Sequence, residues 1–372
     1  ASATDRKEKS VYHQALTHRL LAAFLAAMLL APVSGRDALA TEDEASDYRF
    51  YPLPPDLPRL QFLASFSTPL DVSAGKSAFR DFVFGGKSKE GHLVNKPYGL
   101  AVHKGAIYVV DTRGGGWGIF DLAGRKSRMV RPGGGGTLKK PINISIDDDG
   151  THYVTDSERE QVLVYDASNK FLRAFGKPGQ FRPVDVAIRG DRLYVTDVAH
   201  HQVHVLDKAT GEILNSFGEA GSEPGQLFHP TNLSFAPDGT LYVVDTTNFR
   251  VQQFTAEGEY IRGFGGAGSA PGTFTRPKGI AIDHDGNAYV VDAAFENVQI
   301  IAPDGGALMF FGASGAERDS INMPTVVKID YDNVPYFEKY FSPDFDVEYL
   351  VLVASQFGIN KVTVFGFGSL RE

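Results

Sequence analysis

The chain has 372 residues, of which 42% are hydrophobic and 22% are charged, and its formal net charge is −8. This apolar fraction supports a folded core and excludes wholesale disorder, and the negative charge is not that of a nucleic-acid-binding protein. The absence of cysteine excludes disulfide bonds, thiolate metal sites and covalently attached c-type haem.

The N-terminal forty residues have the pattern of a secretory signal peptide. An uninterrupted apolar run covers residues 20–31, follows Arg19 and precedes the small-residue sequence Ala38-Leu39-Ala40. This run is too short for a comfortable membrane span, which needs about 20 apolar residues. We therefore predict a cleaved signal peptide at 1–40, no stable membrane span after cleavage, and a periplasmic or extracellular (secreted) location.

The following segment, residues 41–58, is predicted to be a Pro-rich linker. Acidic residues dominate its start, and four prolines fall within positions 51–58. This density of proline favours an extended polyproline-type conformation over a packed element.

The remainder of the chain repeats with a period of 42–47 residues. Each unit opens on a proline, and the six openings are Pro97, Pro141, Pro183, Pro230, Pro277 and Pro324. An alternating apolar stretch follows, then a turn, then a second stretch that ends in Asp in five units, at Asp111, Asp156, Asp197, Asp245 and Asp292. Two further apolar stretches complete most units. Period-2 alternation predicts strands, and four strands in a period of this length predict a propeller blade.

We therefore predict an all-β fold, a six-bladed β-propeller with four antiparallel strands per blade, over residues 59–368. The sixth unit lacks a fourth strand at its C-terminal end, whereas residues 59–66 resemble the fourth strands of the other units. An N-terminal strand at 59–66 that completes blade six would close the ring and leave few exposed edges.

The repeats resemble the NHL family. The resemblance is carried by the opening P-x-G/N/D-[IVL]-[AS]-[IVF], by the strand [LAI]-Y-V-[VT]-D and by segments such as residues 248–254. The segments PLPPDLPRLQFL and YLVLVASQFGINKVTVFGFG further resemble secreted NHL proteins of metal-respiring bacteria that are encoded beside multihaem cytochromes. The resemblance implies a propeller that binds an extracellular or periplasmic protein, such as a multihaem cytochrome. It also implies kinship with six-bladed lyases and lactonases.

Basic residues precede five of the six repeat prolines, at Lys96, Lys140, Arg182, His229 and Arg276. Repeat symmetry places them around one mouth of the central channel. One interpretation is a positive rim that binds an anion or an acidic partner protein. The other is that each basic side chain pairs with a strand-end Asp of its own or a neighbouring blade.

Two metal sites are weighed as alternatives. Asn143, Asp185 and Asn232 each lie two residues after a repeat proline, and they are predicted to converge on the channel. Lactonase-like propellers hold a divalent cation with such oxygens, which makes Ca²⁺ the alternative to simple hydrogen bonding with water or backbone. A related lyase holds Zn²⁺ with histidines from several blades. Here the four candidates are bunched in blades three and four, at His200, His201, His204 and His229.

An insertion at residues 331–348 breaks the symmetry of blade six. It carries an aromatic stripe at helical spacing, formed by Tyr336, Phe337, Tyr340 and Phe341. The stripe either packs on the rim of the propeller or contacts a partner, with Phe337 and Phe341 expected inward and Tyr336 and Tyr340 outward.

The function expected from the sequence is that of an exported, non-catalytic binding or scaffold module, with no catalytic residues and no cofactor. Its partner-binding residues would be Lys140, Arg182, His229 and Arg276 at the channel rim, together with the four aromatic residues of the insertion. The alternative is a metal-dependent lyase or lactonase-type hydrolase with its site at the channel mouth, and Ca²⁺ or Zn²⁺ as the metal.

Overall fold

The computed structural model describes residues 48–72 and 91–371. The predicted signal peptide and the start of the predicted linker lie outside these residues. Among the described residues, no helix combines the length and the apolar character needed to cross a membrane.

Six antiparallel sheets form the six blades, as predicted. The strands of each blade are numbered here from the channel outwards. The first strands are Pro97–His103, Pro141–Ile146, Pro183–Arg189, Pro230–Phe235, Pro277–Ile282 and Pro324–Asp330. The second strands are Ala106–Asp111, His152–Asp156, Arg192–Asp197, Leu241–Asp245, Ala288–Asp292 and Phe345–Ser355. The third strands are Gly116–Asp121, Gln161–Tyr165, Gln202–Asp207, Arg250–Phe254, Asn297–Ile301 and Val362–Leu370. The fourth strands are Lys126–Val130, Phe171–Phe175, Ile213–Phe217, Tyr260–Gly265, Ala307–Phe311 and, for blade six, Leu60–Phe66.

The closure of blade six by an N-terminal strand is confirmed. Leu60–Phe66 pairs antiparallel with Val362–Leu370, so the first and last parts of the propeller share one sheet. The structure departs from the expected linker at Phe50–Tyr51, which adds a short fifth strand to this sheet. The Tyr51 hydroxyl donates a 2.5 Å hydrogen bond to Asp319, and Arg49 forms a 2.6 Å salt bridge with the same carboxylate. These contacts anchor the start of the described chain to the wall of the propeller.

Apolar side chains pack between adjacent blades because alternate residues of each strand face the neighbouring sheet. Trp117 of blade one is fully buried, and its ring centroid lies 5.1 Å from that of Tyr165 of blade two. Tyr194 and Phe235 meet in the same way between blades three and four, with centroids 4.8 Å apart. The core is therefore a ring of six inter-blade layers around the channel.

The repeat prolines and the strand-end aspartates mark one face of the propeller, called the upper face here. Pro97 lies opposite Asp111 in the register of blade one, and the same pairing recurs in blades two to five. In blade six the partner of Pro324 is Ser355, so this blade has no strand-end aspartate at that position. The upper face therefore carries every residue that precedes a repeat proline.

The insertion of blade six forms a 3₁₀ helix, Val334–Tyr340, instead of the expected α-helical turn. Phe337 is 1% exposed, and its ring packs edge-on against Phe66 at 6.1 Å. Tyr336 is 42% exposed, whereas Tyr340 and Phe341 are half-buried against the core. With three residues per turn, Phe337 and Tyr340 share the face of the 3₁₀ helix that packs on the core, and Tyr336 lies on another face. Tyr340 was expected to point outward, but it is half-buried. Two further 3₁₀ helices, of three residues each, lie elsewhere in the chain at Gly134–Gly136 and Thr246–Asn248.

Candidate functional site at the channel mouth

Five cationic side chains surround the upper mouth of the channel. They line a cavity of about 450 Å³, and they are Lys96, Lys140, Arg182, Arg276 and Lys278. The first four precede repeat prolines, as the sequence pattern predicts, and Lys278 follows one. Hydroxyl groups of Tyr98, Thr112, Ser157, Thr231 and Thr246 belong to the same lining, which contains no carboxylate. The mouth is thus a cationic, hydroxyl-rich pocket.

The strand-end aspartates Asp111 and Asp156 bind backbone amides rather than the side chains of the mouth cations. Asp156 accepts N–H hydrogen bonds from Lys139, Lys140, Glu158 and Arg159. Asp111 accepts the corresponding amides of blade one. No salt bridge joins any of the five mouth cations to a carboxylate of the described residues. Of the two interpretations of the basic series, pairing with the aspartates therefore does not occur.

Lys278 is the group that sequence reasoning missed. Its side chain is 6% exposed, and its ammonium lies 5.0 Å from the ring centroid of Tyr98. Burial, and then the neighbouring Arg276 and Lys96 charges, lower the pKa of Lys278 to about 8. Burial also raises the pKa of Tyr98 to about 12. One signal could have found this residue: it is the only charged residue directly after a repeat proline, where the other blades have Tyr98, Ile142, Val184, Thr231 and Thr325.

His229 precedes the repeat proline of blade four, but its side chain lies outside the group of cations that lines the mouth. Its backbone adopts the left-handed conformation, with φ of 56°. Its ring packs at 4.8 Å against His201, which in turn stacks on Phe228 at 4.5 Å. His229 is exposed and is not part of the cavity lining. The structure therefore separates His229 from Lys140, Arg182 and Arg276, with which the sequence grouped it.

Asn143, Asp185 and Asn232 converge inside the channel, as their spacing predicts. Each is at most 2% exposed. The amide groups of Asn143 and Asn232 donate to the two oxygens of Asp185 at 2.6 and 3.1 Å. Backbone N–H groups of Val186 and Leu233 add bonds of 2.8 and 3.1 Å. Burial raises the pKa of Asp185, and the charge of Lys328, followed by the hydrogen bonds from Leu233, Val186 and Asn232, opposes that shift.

This cluster does not fit a calcium ion in the arrangement seen. Ca²⁺ takes six to eight oxygen ligands, whereas both oxygens of Asp185 already face hydrogen-bond donors. Asn143 Oδ1 accepts the N–H of Ile144, which leaves the carbonyl oxygen of Asn232 as the one unpartnered atom of the three side chains. Gly99 and Gly279 hold the equivalent positions of blades one and five, where a side chain would collide with Asn143 and Val326. The cluster ties three first strands together, and no metal-dependent step is derived from it.

The aromatic residues of the insertion lie away from the mouth. Tyr336, Phe337 and Tyr340 line a separate cavity of about 430 Å³ beside blades one and six. The main chain of Tyr340 accepts a 2.8 Å hydrogen bond from Gln61, which seats the insertion on the closing strand. Their predicted contact with a partner stays a prediction.

Another cavity, of about 880 Å³, lies on the outer wall between blades five and six. Its lining includes the exposed apolar side chains Leu53, Leu308 and Phe310. It lacks the set of five cations that lines the channel mouth, so we place the candidate site at the mouth.

No family model matches the chain, so the NHL resemblance is supported only as far as the six-bladed propeller. Among curated proteins, the chain is 30% identical to peptidyl-glycine α-amidating monooxygenase of Mus musculus over 195 residues, 48% of this chain and 19% of the mouse protein. It is 31% identical over 101 residues to a probable peptidyl-α-hydroxyglycine α-amidating lyase of Caenorhabditis elegans, 26% of this chain and 29% of that protein. The matches therefore span less than a third of those relatives' own length.

Among solved structures, a gluconolactonase of Xanthomonas campestris superimposes with a TM-score of 0.54 at 16% identity, over 84% of this chain and 98% of that one. This likeness concerns the fold.

These comparisons correct the function expected from the sequence. The curated relatives are enzymes, so the expectation of a non-catalytic scaffold, and of a protein that is not an enzyme, is contradicted. The expectation rested on positions that the repeats share, and it did not weigh Lys278, the charged residue that departs from the repeat pattern after a proline.

Proposed function

We propose that the chain is a propeller enzyme, a lyase or a lactonase-type hydrolase, whose substrate carries a carboxylate or another anionic group bound at the channel mouth. The observation that carries the proposal is the set of five cations around a cavity of about 450 Å³ that contains no carboxylate. The enzyme class rests on the amidating relatives, which the chain matches over part of its length.

The charge distribution supports an anionic substrate. The whole chain has a net charge of −8, yet the mouth concentrates positive charge in a partly enclosed pocket. A cleft lined by one sign of charge raises the local concentration of the opposite ion and accelerates its binding. The opposite end of the channel differs, because its cavity of about 520 Å³ includes Asp330 and Asp332 beside Lys328. An anionic group is therefore directed to the upper mouth.

Lys278 is the candidate general base. An amine with a pKa of about 8 is partly unprotonated near neutral pH, which an ordinary lysine is not. In an elimination, the neutral amine would take the proton from carbon, and the electrons of the broken C–H bond would form the double bond as the leaving group departs. In lactone hydrolysis, it would take a proton from the attacking water, and its ammonium would then return that proton to the departing alkoxide.

The neighbouring cations would stabilise the charge that develops in either reaction. Arg276 and Lys96 are close enough to lower the pKa of Lys278, so their charges act at the same place. Fixed positive groups in a secluded pocket stabilise an enolate or a tetrahedral oxyanion more strongly than water does. Export to the periplasm or the cell exterior belongs to this proposal as well, and it is supported by the pattern of residues 1–40.

The test is turnover of anionic lactones and of carboxylate-bearing elimination substrates by the purified chain. We expect kcat/KM to rise about tenfold per pH unit below the pKa of Lys278 and to level off above about pH 8. Lys278→Met should lower kcat by roughly 10²–10⁴-fold, whereas Lys170→Met, at an exposed turn of blade two, should leave it unchanged. Turnover by Lys278→Met equal to that of the unchanged chain would exclude Lys278 as the base.

A further inference from the structure

A carboxylate and two imidazoles meet at the upper edge of blade three. Asp197 ends the second strand, His200 lies in the turn that follows, and His204 lies in the third strand. Asp197 Oδ2 is 2.6 Å from His200 Nδ1 and 3.1 Å from His204 Nε2. The three potential ligand atoms lie within 4.8 Å of one another. His201 points elsewhere, onto Phe228, as its position on the opposite face requires.

Blade four has the same arrangement without histidines, so it shows which contacts the strand-end aspartate makes when no metal ligand is present. Asp245 corresponds to Asp197, and its Oδ2 accepts hydrogen bonds from Asn248 at 2.8 Å and from Gln252 at 3.2 Å. Asn248 and Gln252 follow Asp245 by three and seven residues, the same offsets as His200 and His204 from Asp197. These amide groups, together with Arg250 Nε at 2.9 Å from the same oxygen, therefore satisfy the strand-end carboxylate of blade four. The imidazoles of blade three donate N–H to the carboxylate as the amides do, but unlike an amide nitrogen a ring nitrogen can give up its proton and bind a metal ion.

Oδ2 of Asp197 also differs from Oδ2 of the corresponding aspartates in blades one, two and five. Among the described residues it accepts no hydrogen bond from the main chain. In blades one, two and five this oxygen accepts the N–H of the residue two positions before the repeat proline, namely Asn95, Lys139 and Thr275. In Asp197 the backbone donors Arg182, Ala199 and His200 all bind Oδ1. Within the described part of the chain, the hydrogen-bond partners of Oδ2 are the two rings.

Ser216 contacts the ring nitrogen of His204 that faces away from Asp197. Metal-binding histidines commonly have such a hydrogen-bond partner on their second nitrogen. The Ser216 hydroxyl lies 2.7 Å from Nδ1 of His204. When the Ser216 hydroxyl accepts Nδ1–H, the Nε2 lone pair of His204 is available on the Asp197 side, and this is the tautomer in which Nε2 can bind a metal ion. His204 is 5% exposed, which fixes its ring, whereas the half-exposed side chain of His200 leaves one side of the cluster open to solvent.

We propose that Asp197 Oδ2, His200 Nδ1 and His204 Nε2 bind one divalent transition-metal ion, with Zn²⁺ the best match to this donor set. Two imidazoles and a carboxylate, with an open fourth position, are a common Zn²⁺ ligand set. Tetrahedral ligation with metal–ligand bonds of about 2.0–2.2 Å separates the ligand atoms by roughly 3.3–3.6 Å. Metal binding would therefore lengthen the two contacts of Asp197, now 2.6 and 3.1 Å, and the half-exposed side chain of His200 leaves room for this adjustment. The site adjoins the channel mouth, since Val198 belongs to its lining.

The experiment titrates Zn²⁺, and separately Co²⁺, into chelator-treated purified protein. We expect one Zn²⁺ per chain by calorimetry and the visible absorption of four-coordinate Co²⁺. The decisive variant is His200→Asn/His204→Gln, which copies the amides of blade four and so keeps hydrogen bonds to Asp197. It should fold and melt like the metal-free unchanged chain, yet bind Zn²⁺ more than roughly 100-fold more weakly, beyond the 10–100-fold cost of changing a residue that hydrogen-bonds to a ligand.

The matched control is His229→Asn, a nearby exposed histidine outside the cluster, which should bind Zn²⁺ as the unchanged chain does. Absence of stoichiometric Zn²⁺ binding by the unchanged chain would overturn the proposal. So would equal binding by the double variant, or loss of binding in the His229→Asn control alone. Because the readout is metal binding, its result is independent of whether the channel mouth proves to be catalytic.

Discussion

The ammonium of Lys278 lies over the ring of Tyr98 with 5.0 Å to the ring centroid, and the two residues come from blades five and one. Each directly follows a repeat proline, so the contact crosses the mouth past blade six. A cation over an aromatic face is stabilised by about 0.5–2 kcal/mol. This interaction offsets only part of the cost of burying a charge among other cations.

Lys278→Met is expected to stabilise the propeller near pH 7. The pKa of Lys278 is about 8 in the folded chain and 10.5 as the ordinary value, so its charged form costs on the order of 3 kcal/mol in the folded chain. Between these pH values the unfolded chain binds more protons, so the stability of the unchanged chain rises with pH. Urea unfolding should show a gap near pH 7 that closes by about pH 10. A gap that is constant over this range would contradict the lowered pKa.

Small multivalent anions are expected to raise the melting temperature of the unchanged chain. Citrate or phosphate would bind among the mouth cations and relieve their mutual repulsion, an effect that high NaCl should screen. The variant Lys140→Ala/Arg182→Ala/Arg276→Ala should lose most of the shift, and Lys170→Ala should keep it. An equal shift in the triple variant would place the anion somewhere other than the mouth.

Asp185→Asn is expected to lower the free energy of unfolding by about 2–3 kcal/mol. The change preserves size but replaces one acceptor oxygen by an NH₂ group, which then faces donors from Asn143, Asn232 or the main chain. Denaturant unfolding against Asp191→Asn, at an exposed turn of the same blade, measures the difference. If both variants unfold alike, the cluster does not tie the first strands together.

Phe337→Ala is expected to cost about 3–5 kcal/mol, whereas Tyr336→Ala should cost less than about 1 kcal/mol. Phe337 is fully buried against Phe66, and Tyr336 is 42% exposed on the same 3₁₀ helix. Thermal melts of the two variants test the inward and outward assignments. Similar losses for both would show that the insertion packs differently.

Removal of the closing strand is expected to abolish cooperative unfolding. A chain that begins at Ser67 lacks Leu60–Phe66, and it exposes the edge of Val362–Leu370 together with the apolar residues that Leu63 covers. A chain that begins at Tyr48 retains both N-terminal strands and serves as the control. Calorimetric melts that coincide for the two chains would refute closure by this strand.

The propeller could be predicted because the residues that determine each blade lie close together in the sequence and recur six times. Alternating apolar residues, a proline at the start and an aspartate at the end of each hairpin determine strand, register and blade edge without reference to distant residues. The convergence of Asn143, Asp185 and Asn232 followed from the same symmetry. Blade closure was also readable, since an unpaired edge in the last unit requires a strand from elsewhere.

The charge environment and the chemistry were decided only by tertiary structure. Whether a basic side chain forms an ion pair with a strand-end aspartate depends on which groups already bind that aspartate. The sequence does not show that backbone amides bind Asp111 and Asp156. The low pKa of Lys278 arises from burial beside Arg276 and Lys96, residues from blades five and one. Likewise, His200 and His204 meet only because a turn reverses the chain at Asp197. Repeats specify a scaffold residue by residue, whereas desolvation and ligand geometry arise from side chains that the closed ring brings together.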